Sequence, residues 1–272
     1  MKYDKTLLIT DADGTLLNDD KRVLAVDRAA ITEFTQGGGL FTIATGRGIA
    51  LARAVAEEIG MGLLNAPAVI FNGAMVYDFA SKRTLWKSTL QQAGIDYIEK
   101  LIGQFPHIGT EILIDEKIYV TCTNAYEEEH LLFGNVNPIR CKFDELSHDG
   151  WIKAVFVDEP EHINEMIAFA EANPCDAVHA VSSAPMFFEI LPRGVNKGTG
   201  FKKMLEIMGY GDYKVFAAGD YMNDLEMLRM ADFAFAAGNA ENVVKQAADK
   251  VVCDNNSGVI REVVDYMGRI KG

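Results

Sequence analysis

A chain of 272 residues with 49% hydrophobic and 24% charged side chains has room for two ordinary domains, or one large one, and a substantial core, the content of a globular and not a disordered protein. The net charge of −13 comes without clustered Lys and Arg for a phosphate backbone, so nucleic acid is not an expected partner. Four scattered cysteines with no C-x-x-C pair exclude a zinc knuckle and a dithiol redox motif and read as reduced core thiols.

In chain order, Thr6 to Thr10 is a short apolar, β-branched run suited to a strand covered on both faces. Asp11 and Asp13 follow at a spacing of two, and Gly14 lets the backbone turn sharply. Val23 to Gln36 has helical apolar spacing and ends at Gly37-Gly38-Gly39; Leu40 to Ala44 is a second buried strand ending at Thr45-Gly46-Arg47, and a helix follows with Ile49, Ala52, Val55, Ala56 and Ile59 on one side. Ala68 to Phe71 reads as a third strand, closed by Asn72-Gly73, with Met75 to Tyr77 pairing beyond it as a hairpin. This βαβα order predicts a parallel sheet.

The character shifts near Ser81-Lys82-Arg83. From there to about Pro192 the pattern is a helix with Ile95, Ile98, Ile102 and Phe105 inward, strands at Glu111–Asp115 and Lys117–Cys122, a short helix near Glu127–Phe133, a strand at Trp151–Val157, a helix carrying Ile163, Met166, Ile167 and Ala170, and strands near Ala177–Ser182 and Met186–Leu191. Paired strands with helices between them predict an α+β layer, read as an inserted domain. The first pattern then resumes: a helix over Gly198–Met208, a strand over Lys214–Ala217, a helix over Asp224–Met230, a strand over Phe233–Ala236, a helix over Asn242–Ala248 and a last strand over Lys250–Cys253. The fold class is therefore α/β, with a Rossmann-like parallel-sheet core over 1–82 and 193–272 and an inserted domain over 83–192.

Ligands of open α/β sheets bind beyond the carboxyl ends of the strands. Three strands end there in polar clusters: Asp11 and Asp13, Thr45-Gly46, and Asp220 with Asn223 and Asp224. Asp11, Asp220 and Asp224 brought together would raise one another's pKa unless a cation intervened, and an oxygen-only donor set suits Mg²⁺ better than zinc. Lys197, just before a helix, could hold a phosphate oxygen, as could the Thr45 hydroxyl and the Gly46 N–H. Singly these features also read as an Asp-Gly turn, a solvated lysine and a helix cap; jointly they point to a site. His107, His130, His148, His162 and His179 are dispersed and read as structural or exposed, and Tyr97, Tyr119 and Trp151 as core.

Asp11-Ala12-Asp13-Gly14-Thr15, Thr45-Gly46-Arg47, Lys197-Gly198 and Gly219-Asp220-Tyr221-Met222-Asn223-Asp224 resemble the four ordered motifs of the haloacid dehalogenase superfamily of phosphohydrolases. Asn72-Gly73-Ala74, Gly238-Asn239-Ala240, Phe188-Glu189-Ile190-Leu191-Pro192 and Asn255-Asn256-Ser257-Gly258-Val259 are similar to its Cof-type sugar phosphatases, and the insertion resembles that branch's α/β cap. Ala12 and Ala237 depart from the branch, standing where a larger apolar residue and a Met are usual.

The resemblance implies a Mg²⁺-dependent phosphatase of small phosphate monoesters, sugar phosphates foremost, working through an aspartyl-phosphate. Asp11 would be the nucleophile and Asp13 the acid and then base. Asp11, the Asp13 carbonyl and Asp220 would hold the metal with Asp224 supporting them, and Thr45, Gly46, Lys197 and Asn223 would hold the phosphoryl group. Hinges to the cap are expected near Ser81–Thr84 and Leu191–Gly194. A phosphomutase of the phosphomannomutase type and a non-catalytic sugar-phosphate sensor are the alternatives. No stretch reaches the roughly 18 uninterrupted apolar residues of a membrane span, and the N-terminus does not read as a signal peptide, so a cytoplasmic protein acting on a small phosphorylated metabolite is expected.

Overall fold

Thr6–Thr10 (β1) is buried at every residue and is an inner strand of the sheet that positions everything else in the computed structural model, which describes residues 1–133 and 137–270. Two compact units are present, one made of Met1–Trp86 and Asn196–Gly272 and the other of Lys87–Val195.

In the first unit β1 leads to Ala25–Gln36 (α1), Leu40–Ile43 (β2), Ile49–Ile59 (α2), Ala68–Ile70 (β3), Met75–Asp78 (β4) and Arg83–Lys87 (β5). The third strand departs from the parallel sheet expected of it. β3 pairs antiparallel with β4 and belongs to a separate sheet ordered β3-β4-β5, keeping a single parallel bridge, Ala44 to Val69, with the segment after β2. The cause is the abrupt 3₁₀ turn Phe71–Gly73, with φ of 53°, 52° and 99° at its three residues, which folds the chain back after three strand residues. Gly73 is needed there twice, for its positive φ and because a Cβ would collide with the Asn196 carbonyl. β5 has no counterpart in the sequence reading, being mostly exposed and without apolar alternation.

The second unit contains Gln92–Gln104 (α3), Gly109–Ile114 (β6), Lys117–Cys122 (β7), Ala125–Phe133 (α4), Ile139–Arg140 (β8), Lys153–Val157 (β9), Pro160–Ala172 (α5), Val178–Ala184 (β10) and Phe187–Pro192 (β11). Its sheet runs β10-β11-β9-β6-β7-β8, antiparallel except for the β7–β8 pair. Ile112, Ala154, Phe156, Phe188 and Ile190 on one face pack against Ile95, Ile98 and Leu101 of α3 and Ile163, Met166 and Ala170 of α5, with Trp151 fully buried among them. Two-residue β8 is exposed and carries no pattern that sequence could reveal.

The chain re-enters the first unit through Lys197–Met208 (α6), Lys214–Gly219 (β12), Leu225–Met230 (α7), Phe233–Ala236 (β13), Asn242–Ala247 (α8), Lys250–Val251 (β14) and Val259–Ile270 (α9). The parallel sheet has the order β14-β13-β12-β1-β2. α9, not among the elements expected from sequence, buries Val259, Ile260, Val263, Val264 and Met267 and packs against α1. Contrary to the expectation of core thiols, all four free cysteines are only partly buried.

Candidate active site

Parallel register does the first part of the assembly. Thr10 lies opposite Ala218 and Ile43, and the Asp11 N–H donates to the Ala218 carbonyl at 2.9 Å, so the residues just after β1, β12 and β2 emerge side by side. The chain also reverses its direction of travel across the sheet at β1, with β2 on one side and β12 on the other, the kind of switch point at which open α/β sheets form a crevice.

One carboxylate oxygen from each of Asp11, Asp220 and Asp224 lies within 4.8 Å of the others. The Lys197 ammonium bridges two of them, 2.5 Å from Asp11 Oδ1 and 2.6 Å from Asp224 Oδ1, on a side chain only 1% exposed. Asn196 caps α6 by accepting the Thr199 N–H at 2.8 Å, so the helix starts at Lys197, whose side chain is buried. Asp224 has both oxygens engaged: Oδ1 with Lys197, and Oδ2 accepting the N–H groups of Asp220 and Tyr221 at 2.9 and 3.1 Å. Its task is thus to fix Lys197 and the 219–221 backbone. Gly219 must be glycine, since a Cβ would press on the Asp224 side chain, and Gly14, at φ 81°, leaves room for the Asp220 carboxylate. The Thr15 hydroxyl donates to Asp220 Oδ1 at 2.5 Å.

The electrostatics follow from three acids sharing one buried ammonium. Burial drives the Asp11 carboxyl well above its ordinary range against the pull of Lys197, with Asp224 and Asp220 raising it further. Burial and then the Asp224 carboxylate push Asp220 up to about 7. Burial disfavours the Lys197 charge, yet Asp11 and Asp224 more than offset it and hold that group above its usual range. Oxygen-only donors short of positive charge fit a hard divalent cation, with Asp11 and Asp220 as the carboxylates available to it.

Asp13 stands apart from this trio. Its carboxylate is held by a two-pronged Arg47 fork, Nε at 2.7 Å and Nη2 at 2.8 Å, and by Lys21 at 3.1 Å. Burial alone would raise its pKa; Arg47 and then Lys21 reverse the sign and take it down to about 2. Neither cation was singled out from sequence, although Arg47 adjoins Thr45-Gly46. Thr45 is buried, its hydroxyl accepting the Arg47 N–H at 3.1 Å; α2 starts at Ile49 behind Gly48, so Thr45 is not that helix's cap. Gly46 faces Asn72, and Asn72 Oδ1 accepts from Asn223 Nδ2 at 2.9 Å, which joins the loops after β2, β3 and β12. Asn239, also unassigned from sequence, donates to the Gly14 carbonyl at 2.8 Å and ties the 238–240 turn to the acid-bearing loop.

The chain as a whole has relatives among known proteins. Residues 8–264 match the haloacid dehalogenase-like hydrolases. The chain is 27% identical over 264 residues to 5-amino-6-(5-phospho-D-ribitylamino)uracil phosphatase YcsE of Bacillus subtilis, covering 96% of this chain and 95% of that one. It superposes on the crystal structure of a Thermotoga maritima protein with TM-score 0.80 and 26% identity, covering 96% and 97% of the two chains. A sugar phosphatase of HAD subclass IIB shares the fold at TM-score 0.85 and 22% identity over 97% of this chain and 99% of that one.

Proposed function

Because the chain belongs to the haloacid dehalogenase-like hydrolase family and is a phosphatase, we propose that it is a Mg²⁺-dependent hydrolase of small phosphate monoesters, sugar and polyol phosphates foremost, acting through an aspartyl-phosphate on Asp11. The observation that carries this reading is the gathering of Asp11, Asp220 and Asp224 around the buried Lys197. Asp11, Asp220 and the Asp13 carbonyl would hold the ion, which when bound supplies neutralisation of charge between carboxylate and phosphoryl group.

In the first displacement Asp11 oxygen bonds to phosphorus as the ester oxygen leaves, and Asp13 gives that oxygen a proton. In the second, Asp13 takes a proton from water, the water oxygen bonds to phosphorus, and the Asp11–phosphorus bond breaks. Lys197 balances the charge of the nucleophile, while Thr45, Gly46 and Asn223 donate to the transferring group. Asp13 cannot give a proton while Arg47 and Lys21 hold it ionised, so substrate binding must loosen that fork. The unit of residues 87–195 is assigned the role of a cap that selects the leaving group, the other unit being the catalytic core. Relatives named for a phosphorylated ribitylaminouracil make linear polyol phosphates part of the expected range.

The test is phosphate release from a panel of sugar phosphates, nucleotides, a ribityl phosphate and an aryl phosphate with Mg²⁺. Asp11→Asn is expected to abolish release and keep the fold by circular dichroism; near-normal turnover in that variant would falsify the assignment. Phosphate retained on an isomerised sugar, dependent on a bisphosphate activator, would instead identify a mutase.

A further inference from the structure

The second unit brings together two histidines that are far apart in the chain. His107 lies in the loop after α3, and His162 lies in the first turn of α5, behind Asp158 at the end of β9. β6 pairs with β9 so that Gly109 sits opposite Val157, and Asn124 fastens the two segments by donating to the carbonyls of Val157 at 2.9 Å and His107 at 3.4 Å. The two imidazoles meet edge to face, 4.9 Å between centroids at 80°. One ligand atom from each of His107, Asp158 and His162 lies within 4.8 Å of the other two.

We propose that His107, Asp158 and His162 form a binding site for a divalent transition metal of the zinc class. His162 Nδ1 is shielded from solvent, has no hydrogen-bond partner among the described residues, and lies 3.4 Å from Asp158 Oδ2. That separation is the one expected between two ligands on a tetrahedral zinc, about 3.4 Å for bonds of about 2.0–2.1 Å. The surrounding groups divide the remaining valences correctly. Asp158 Oδ1 is taken by the Glu159 N–H at 2.8 Å, which leaves Oδ2 for a metal. His162 Nε2 lies 3.4 Å from Glu159 Oε1, so its N–H can point to that carboxylate while the Nδ1 lone pair faces inward; the other Glu159 oxygen accepts from the Tyr126 hydroxyl at 3.3 Å. Two imidazoles and one carboxylate favour zinc, cobalt or nickel over the magnesium suited to the all-oxygen cluster of the first unit, and three protein ligands leave a position for water. His107, the exposed member, supplies the third ligand atom, within 4.8 Å of the other two.

The experiment uses the full chain, stripped with a chelator and returned to excess Mg²⁺ so that the carboxylate cluster is occupied. Zn²⁺ is titrated calorimetrically and Co²⁺ by visible absorption. The expected result is one Zn²⁺ per chain, a tetrahedral Co²⁺ spectrum, and at least tenfold weaker binding in His107→Ala and in His162→Ala, with Asp11→Asn unaffected. Because His107 is exposed, its variant keeps the fold, to be checked by circular dichroism. Absence of Zn²⁺ uptake under these conditions, binding unchanged in both histidine variants, or binding lost in Asp11→Asn would overturn the proposal.

Discussion

Lys197 shows how much one buried charge organises. Two carboxylates, one 5% exposed and the other fully buried, depend on it, and removing one partner of a buried ion pair leaves the others uncompensated. Lys197→Ala is expected to cost about 3–5 kcal/mol in urea unfolding without Mg²⁺, and to slow phosphate release by roughly a hundredfold or more. An unchanged rate would remove it from the site. Asp13 illustrates the opposite sign. Its carboxyl is depressed to about 2 in spite of burial, so the stability it contributes is present above the ordinary carboxylate range and lost as pH falls toward 2. In Arg47→Gln, carboxyl-carbon NMR should show the Asp13 titration moving up toward its ordinary value of about 3.9. Sequence spacing made the acids legible, but not the cations that face them: Arg47 is 34 residues from Asp13, and nothing local to either reveals the pairing.

At the level of elements, the packing of α1 against α9 contains an acid in an unfavourable place. Asp27 is fully buried; Oδ1 accepts the Arg261 N–H at 2.8 Å while Oδ2 has no hydrogen-bond partner among the described residues, and burial lifts the group to about 6 against the backbone N–H groups of Arg261 and Ile260. Below the ordinary carboxylate range both folded and unfolded chains hold this proton. As pH rises from about 4 to 6, the unfolded chain releases it first, so stability falls through that window and stays lower above it. Asp27→Asn is therefore expected to stabilise the protein by about 2 kcal/mol at pH 7.5 and much less at pH 4.5, measured by urea unfolding at both. An equal gain at both pH values would mean that burial of the charge is not the cause. α9 itself was open to discovery in the sequence, since its buried residues recur at helical spacing. β5 and β8 were not, because exposed edge strands carry no burial pattern.

Across the whole molecule, each unit has its own sheet and its own apolar cluster, the first around Leu7, Ile9 and Ala217 and the second around Ile98, Phe156 and Ile190. Residues 87–195 expressed alone are expected to unfold cooperatively in urea with a far-ultraviolet spectrum of mixed α and β; a featureless, non-cooperative chain would show that this cluster is insufficient. Thermal stability of the full chain should rise with Mg²⁺ in the wild type and not in Asp220→Asn, since a ligand bound only by the folded state stabilises it by mass action. The sequence by itself determined the alternation of strands and helices, the interruption between two halves of one sheet, and the acids, threonine and lysine of the candidate site, because burial periodicity and short motifs are local properties of a chain. Only the tertiary structure decided that Lys197 lies between Asp11 and Asp224, that Arg47 and Lys21 hold Asp13, that β3 leaves the parallel sheet, and that His107 meets His162. Each of those depends on strand register and on turns such as Phe71–Gly73, which bring together residues whose separation along the chain carries no signal of their contact.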